Sequence, residues 1–242
     1  NASGQALLNY KATDALTPGA HNLEVSFAGN DKLNETTGKA TLTVTPANTA
    51  LLLLNSSGSY GQSVKLTATL KRTTDKAKLA KQTVSFLVDG TKVGDATTDD
   101  KGNAIFAYAL DDTLTPGTHT LEADFAATDH YNASTATGTL TAKVTATKLT
   151  VVAASGKVGE TVNLTAKLKR STDGKGLAGK PLHFLVDGVE VGVGETNSDG
   201  IAILSFTIPD TLKAGAHTLV ATFAGDDYYK SSTSNSASLT VK

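Results

Sequence analysis

Three histidines recur at one spacing, and they are the first residues in this chain whose type could do chemistry. His21, His119 and His217 are 98 residues apart, each inside one phrase. The copies read Leu16-Thr17-Pro18-Gly19-Ala20-His21, Leu114-Thr115-Pro116-Gly117-Thr118-His119 and Leu212-Lys213-Ala214-Gly215-Ala216-His217. An imidazole on a loop can act as a general base or a metal ligand. It needs partners to do so, and no other His repeats alongside; a lone His makes no site. His130 and His183 occur in one copy each and are expected at the surface.

Four further patterns could carry chemistry. Acidic residues gather at turns: Asp99 with Asp100, Asp199, Asp129, and Asp226 with Asp227. Carboxylates at a domain end can bind calcium, which takes about six to eight oxygens. Only Asp31, Asp129 and Asp227 recur as a set, and Asp favours turns in any case, so no metal is expected. Gly174 to Lys180 matches the opening of a phosphate-binding loop, but Pro181 stands where Ser or Thr should hold magnesium. A strand rather than a helix follows, so this is a chance match and no cofactor is implied. Tyr228 and Tyr229, beside Asp226 and Asp227, could stack on a glycan or host-protein ligand; the alternative is that one Tyr caps the core. Sequons occur at Asn1, Asn34, Asn55, Asn132 and Asn163, and Asn34 and Asn132 share a repeat position as candidate glycosylation sites. No Ser-His-Asp set, metal-binding His pair or carboxylate dyad recurs, so the chain is read as non-enzymatic.

The elements that position these residues follow from the repeat, since periodicity sets architecture before any residue is read. Residues 47–144 align with 145–242, apart from one extra residue near the end of the latter. Residues 1–46 match only the second half of a repeat, for Gly4 falls opposite Gly102 and Gly200. With no Met present either, the chain is expected to be a piece of a longer array. Within a repeat, Leu51 to Leu54 reads as a mostly buried opening strand. Val64, Leu66, Ala68 and Leu70 alternate with polar residues, as do Val162, Leu164, Ala166 and Leu168. Val84 to Val88 and Leu182 to Val186 run into Asp89-Gly90 and Asp187-Gly188, a tight-hairpin signal. Ala104, Phe106, Tyr108 and Leu110 follow, then the His phrase, a strand ending in Phe125, and a Thr-rich last strand. That is about seven strands without a helix, an all-β fold of two-sheet sandwiches in tandem. Residues 1–46 carry three such strands: Ala6 to Tyr10, Leu23 to Phe27 and Thr41 to Val44.

Composition narrows the function classes. With 22 basic and 23 acidic residues the net charge is −1, which leaves no basic patch for nucleic acid or anionic membrane. No Cys is present, which rules out disulfides and thiolate metal sites. The longest aliphatic run, Ala50 to Leu54, is too short for a transmembrane segment.

The string from Gly159-Glu160-Thr161-Val162 through Phe184 to Gly188, Asp199-Gly200 and Gly215 to Leu219, ending in Phe223-Ala224-Gly225-Asp226, resembles a bacterial immunoglobulin-like repeat. It is similar to the group-3 type found in tandem in large surface proteins and adhesins. The resemblance covers both full repeats and the half, and it implies Ig-like sandwiches arranged end to end. It also implies a role for the histidines: His21, His119 and His217 stand where related sandwiches put a corner tyrosine bonded to the backbone upstream. Some bacterial sandwiches carry a Lys to Asn or Asp isopeptide bond, but no such trio stands in both full repeats here, and the bond is not expected.

The reading is a stalk or spacer of a secreted or cell-surface protein of a bacterium or archaeon, with a ligand-binding Ig-like module as the alternative. The linkers Thr45 to Asn48 and Val144 to Thr147 are short, so neighbouring repeats should stack as a semi-rigid rod. Residues 1–46 expose apolar strand faces, which either upstream sequence or another copy, by strand complementation, is expected to cover.

Overall fold

The computed structural model describes residues 1–13 and 15–242. Among the described residues the regular structure is nineteen strands. The first 46 residues hold β1 (Gly19–Phe27) and β2 (Thr36–Val44), paired antiparallel. Next come β3 (Thr49–Leu53), β4 (Ser56–Ser59), β5 (Ser63–Arg72), β6 (Thr83–Val88), β7 (Thr91–Thr97), β8 (Asn103–Ala109), β9 (Gly117–Phe125) and β10 (Ser134–Lys143). The series then recurs as β11 (Thr147–Val151), β12 (Ala154–Gly156), β13 (Thr161–Arg170), β14 (Pro181–Val186), β15 (Val189–Glu195), β16 (Ile201–Thr207) and β17 (Gly215–Phe223). Its last strand is broken into β18 (Ser232–Thr233) and β19 (Ala237–Val241).

Each series makes two sheets. One has the order β3-β5-β8 or β11-β13-β16; the other is β4-β10-β9-β6-β7 or β12-β19-β17-β14-β15, with β18 beside β17. The expected single opening strand is in fact two. Its first part pairs antiparallel with β5, and after Asn55 the chain crosses to pair parallel with β10. The expected burial of Leu51 to Leu54 is corrected accordingly: Leu53 is buried, while Leu52 and Leu54 face water.

The chain divides into two compact units. One comprises Asn1–Leu54, Leu66–Phe106 and Leu121–Gly138; the other comprises Asn55–Lys65, Ala107–Thr120 and Thr139–Lys242. In the first, Leu70, Leu79, Phe125 and Tyr131 form the core, with Ala47 and Leu51 packed against them. Phe86 and Phe106 stack there, ring centroids 6.2 Å apart. In the second, Leu164, Ala166, Leu168, Leu182, Phe184, Leu219, Ala221 and Leu239 are wholly buried. Alternation along β13, β14, β17 and β19 places these side chains inward, as a two-residue side-chain period requires.

Turn chemistry does what its residues suggest. Asp89-Gly90 and Asp187-Gly188 all take positive φ, the two-residue hairpin geometry. The extra residue of the last copy becomes a register shift. Phe223 pairs with Ser232 and Thr222 with Thr233, whereas Leu219 pairs with Ala237, one residue further on. That bulge is what splits the closing strand. A second correction concerns Ala6 to Tyr10, expected as a strand. Among the described residues it pairs with no other strand, and a ladder needs a partner.

Candidate functional site

The repeated histidines close a local turn. Each Nε2–H donates to the carbonyl four residues upstream: His21 to Thr17 at 2.6 Å, His119 to Thr115 at 2.8 Å and His217 to Lys213 at 2.8 Å. The intervening glycines Gly19, Gly117 and Gly215 have φ between 134° and 142°, which lets the corner turn that tightly. His119 is buried.

His217 adds a second bond, from Nδ1 to Asp187 Oδ2 at 2.6 Å. Both of its partners can only accept, so the ring is an imidazolium when both bonds are made. The Asp187 carboxylate, then the Lys213 carbonyl, holds its pKa above the ordinary value. In return His217, then the Thr218 N–H, holds the Asp187 carboxyl below its usual range. Nothing here resembles a catalytic base, whose ring must keep one nitrogen free for a substrate.

A denser arrangement lies around Tyr60, in the second unit. Its side chain is wholly buried, and its hydroxyl donates to the Leu114 carbonyl at 2.9 Å. The ring stands edge-on to Tyr228 and Tyr229, with centroids 5.4 and 6.4 Å away. Burial, then the neighbouring Tyr228, Tyr229 and Asp112, pushes the Tyr60 phenol up to about 12. The Tyr60 carbonyl accepts from two hydroxyls, Thr145 Oγ1 at 3.2 Å and Thr172 Oγ1 at 2.7 Å.

Gly61 follows at φ +83°, pressed so close that a Cβ there would stand 2.7 Å from Thr172 Oγ1 and 3.1 Å from Arg170 Nε. Only glycine meets both the dihedral and the clearance. Arg170, itself buried, is fixed by a two-pronged pair to Asp173, Nε to Oδ1 at 3.2 Å and Nη2 to Oδ2 at 2.8 Å. Burial pushes the Asp173 carboxyl up, but Arg170 and the Lys175 N–H outweigh it and hold it below the usual range. Tyr229 pairs with Thr145 across an isolated parallel bridge, and Lys180 Nζ lies 5.2 Å from the Tyr229 ring centroid.

This geometry answers where the sequence candidates sit. Tyr229 is 2% exposed, which leaves it no open ring face for a ligand. Tyr228 is half-buried against Tyr60. Asp226 accepts from the Tyr228 and Tyr229 N–H groups at 2.9 and 2.8 Å and from Lys180 Nζ at 2.6 Å; Asp227 is exposed. A cleft of about 370 Å³ beside them is lined by Arg170, Lys175, Lys180, Tyr229 and Asp112. Two of its three cations are already neutralised, by Asp173 and Asp226. Asn34 and Asn132 are both exposed, and Asn132 Nδ2 donates to Asn48 Oδ1 at 2.7 Å.

His183 is half-buried on β14 with its Nδ1 3.1 Å from Glu190 Oε1, and His130, also expected at the surface, is half-buried beside Tyr131 with its Nε2 out of solvent. Its place next to an inward Tyr draws it in. Among the described residues no group of three or more His, Cys, Asp or Glu could hold a metal. Among the described residues no helix is long and apolar enough to cross a membrane.

Sequence reasoning passed over Tyr60, Gly61, Arg170 and Asp173. A signal was present: the chain's two arginines stand at one repeat position, as Arg72-x-x-Asp75 and Arg170-x-x-Asp173. Both pairs form, with Arg72 Nη2 2.9 Å from Asp75 Oδ2.

The family model of the bacterial Ig-like domain, group 3, matches residues 52–148 and 149–242. Among solved structures, the chain is similar to a tetra-tandem repeat in the extending region of a large adhesion protein, at 21% identity over 95% of this chain and 58% of that one, TM-score 0.45. It is similar also to a 1.5-MDa bacterial ice-binding adhesin, at 14% identity over 92% and 75% of the two chains, TM-score 0.36. A third is a pair of titin domains in complex with telethonin, at 18% identity over 83% and 98%, TM-score 0.38. The chain spans 58% of the length of the first of these structures. No curated protein matches it.

Proposed function

The chain belongs to the bacterial Ig-like domain family, group 3, and from that premise we propose that it is a non-catalytic spacer in an adhesin-like protein, secreted or held at the cell surface. In this reading residues 47–144 and 145–242 are complete repeats and residues 1–46 the later half of another. The neighbouring repeats are its partners.

One observation carries the proposal: the junction around Tyr60 is a built joint. A spacer transmits force and holds distance, which demands that successive repeats be tied by more than a flexible linker. Tyr60 and Gly61 supply a buried aromatic and a close backbone approach; Thr145, Thr172, Arg170 and Tyr229 supply the receiving surface. The side chains best placed for ligand stacking are spent on that joint instead.

Pulling single molecules tests this reading. Each complete repeat should open as its own event, releasing about 300 Å of chain. Glycan and host-cell protein arrays should meanwhile show no selective binding. Selective capture that Tyr228→Ala abolishes would replace the spacer with a ligand-binding module. Unfolding of the whole chain in one event would remove the division into repeats.

A further inference from the structure

The outer face of the β11-β13-β16 sheet carries cations with no anion to meet them. Leu164, Ala166 and Leu168 of β13 point inward, so Thr165, Lys167 and Lys169 point out. Lys148 on β11 stands directly opposite Lys169, and Lys167 lies two residues from it on the same face. Like charges opposed in this way destabilise a sheet. Among the described residues none of the three lysines is in an ion pair. Beside them Val152 and Ile203 flank Thr165 from its two neighbouring strands, 60% and 56% exposed.

The outer face of the β4-β10-β9-β6-β7 sheet has the opposite sign. Glu122 and Asp124 on β9 pair with Leu87 and Ser85 on β6, which sets both carboxylates on that face two residues apart. Asp95, on the far side of Ser85, is already taken by Lys92 at 2.8 Å and by the Ser85 hydroxyl at 2.6 Å. Glu122 and Asp124 have no such cation. Asp124, then burial, holds the Glu122 carboxyl above its usual range. Asp124 Oδ1 is out of solvent and accepts no hydrogen bond. The fold needs neither cluster. One repeat later the positions of Glu122 and Asp124 are Val220 and Thr222; one repeat earlier those of Lys148 and Lys167 are Ala50 and Thr69. The same strands form in both copies, so each cluster is a local cost that the sister repeat shows to be dispensable for folding.

We propose that these two faces dock copies of this chain side by side, the face of Lys148, Lys167 and Lys169 on one copy meeting the face of Glu122 and Asp124 on another. The lysines pair with the carboxylates, and Val152 and Ile203 lie against Leu87, half-buried between Glu122 and Lys92. Charge complementarity selects a second copy as the occupant, because each face lacks in its own chain the counter-charge that the other presents. The net charge of −1 leaves the copies without long-range repulsion, a condition that favours association. Every copy offers both faces, so the contact is heterologous and extends from one copy to the next. The proposal rests on these two sheet faces and not on the spacer role.

Sedimentation of the whole 242-residue chain tests this. Concentration-dependent self-association is expected at about 0.01 M salt, weakening about ten-fold or more at about 1 M, where screening is nearly complete. Lys167→Glu with Lys169→Glu should abolish it, and so should Glu122→Lys with Asp124→Lys. Mixed together, the two double variants should associate again, because the intact acidic face of the first then meets the intact lysine face of the second. Circular dichroism reports whether each variant is folded. Should the Glu122 variant fail to fold, Glu122→Gln with Asp124→Asn serves in its place with the same expectation. A chain that stays monomeric at about 1 mM in low salt would overturn the proposal. So would self-association indifferent to salt and to both reversals, or folded variants whose mixture stays monomeric. The force measurement above is made on single molecules and is independent of each of these outcomes.

Discussion

Tyr60 and Tyr228 meet edge to face, with ring centroids 5.4 Å apart and planes inclined at 61°. That is the favoured arrangement for two aromatic quadrupoles. It joins a turn near the start of one repeat to the loop before the closing strand of the next, and Tyr229 completes the trio, its centroid 6.4 Å from each of the other two rings. The contact is dry: Tyr60 is wholly buried and its hydroxyl is bonded to protein.

Tyr60→Ala should therefore be costly. Truncating a buried aromatic removes its transfer free energy and leaves a cavity, about 3–5 kcal/mol in sum. Tyr60→Phe should cost about 1 kcal/mol, the worth of one hydrogen bond. Chemical denaturation checks both, and equal effects of the two substitutions would show that the ring itself contributes little.

Gly61→Ala probes the backbone rather than the ring. At φ +83° an L-residue is strained, by roughly 1–2 kcal/mol. The added Cβ also meets Thr172 Oγ1 at 2.7 Å. The double variant Gly61→Ala with Thr172→Gly should recover part of the loss. No recovery would mean that relief of this one contact is outweighed by the strain, by the remaining contact with Arg170 and by the lost Thr172 bond to the Tyr60 carbonyl.

His119→Phe should destabilise by about 1–3 kcal/mol, because the Thr115 carbonyl loses its donor beside a buried ring. A thermal melt compared with His119→Gln, which can still donate, separates the lost bond from a change of shape. If the Gln variant melts no higher than the Phe variant, the bond is not what the histidine supplies.

The His217–Asp187 pair gives stability a pH window. A raised His contributes fully below its unfolded value of 6.5, and the contribution is lost as pH rises through the higher folded value. A lowered Asp contributes above its unfolded value of 3.8, and the contribution is lost as pH falls through the lower folded value. The pair is thus at full strength between those two unfolded values. From pH 6 to pH 9 the melting temperature of the native chain should fall more steeply than that of Asp187→Asn. Parallel curves would show that the pair adds nothing.

Much of this molecule was decided by sequence alone. Period-two alternation along Val64 to Leu70 and Val162 to Leu168, the Asp-Gly hairpins, and the 98-residue spacing of the His phrase are local properties. Local backbone preference and side-chain periodicity act on neighbours in the chain, so strands, turns and repeat could be read without coordinates. The one-residue excess near the end of the last copy was visible too, though only the ladder shows it as a bulge beside Phe223.

The joint was decided by tertiary structure. Tyr60 meets Tyr228 and Thr172 across more than a hundred residues, and no local pattern distinguishes a Tyr that caps a core from one that plugs a neighbour. Leu51 to Leu54 shows the same limit. A run of apolar residues does not say which of them faces inward; the crossing of the chain from β5 to β10 does, by assigning each part a different ladder. Burial depends on what arrives from elsewhere in the chain, and for that reason Phe125 is covered while Phe27, alike in sequence, is not.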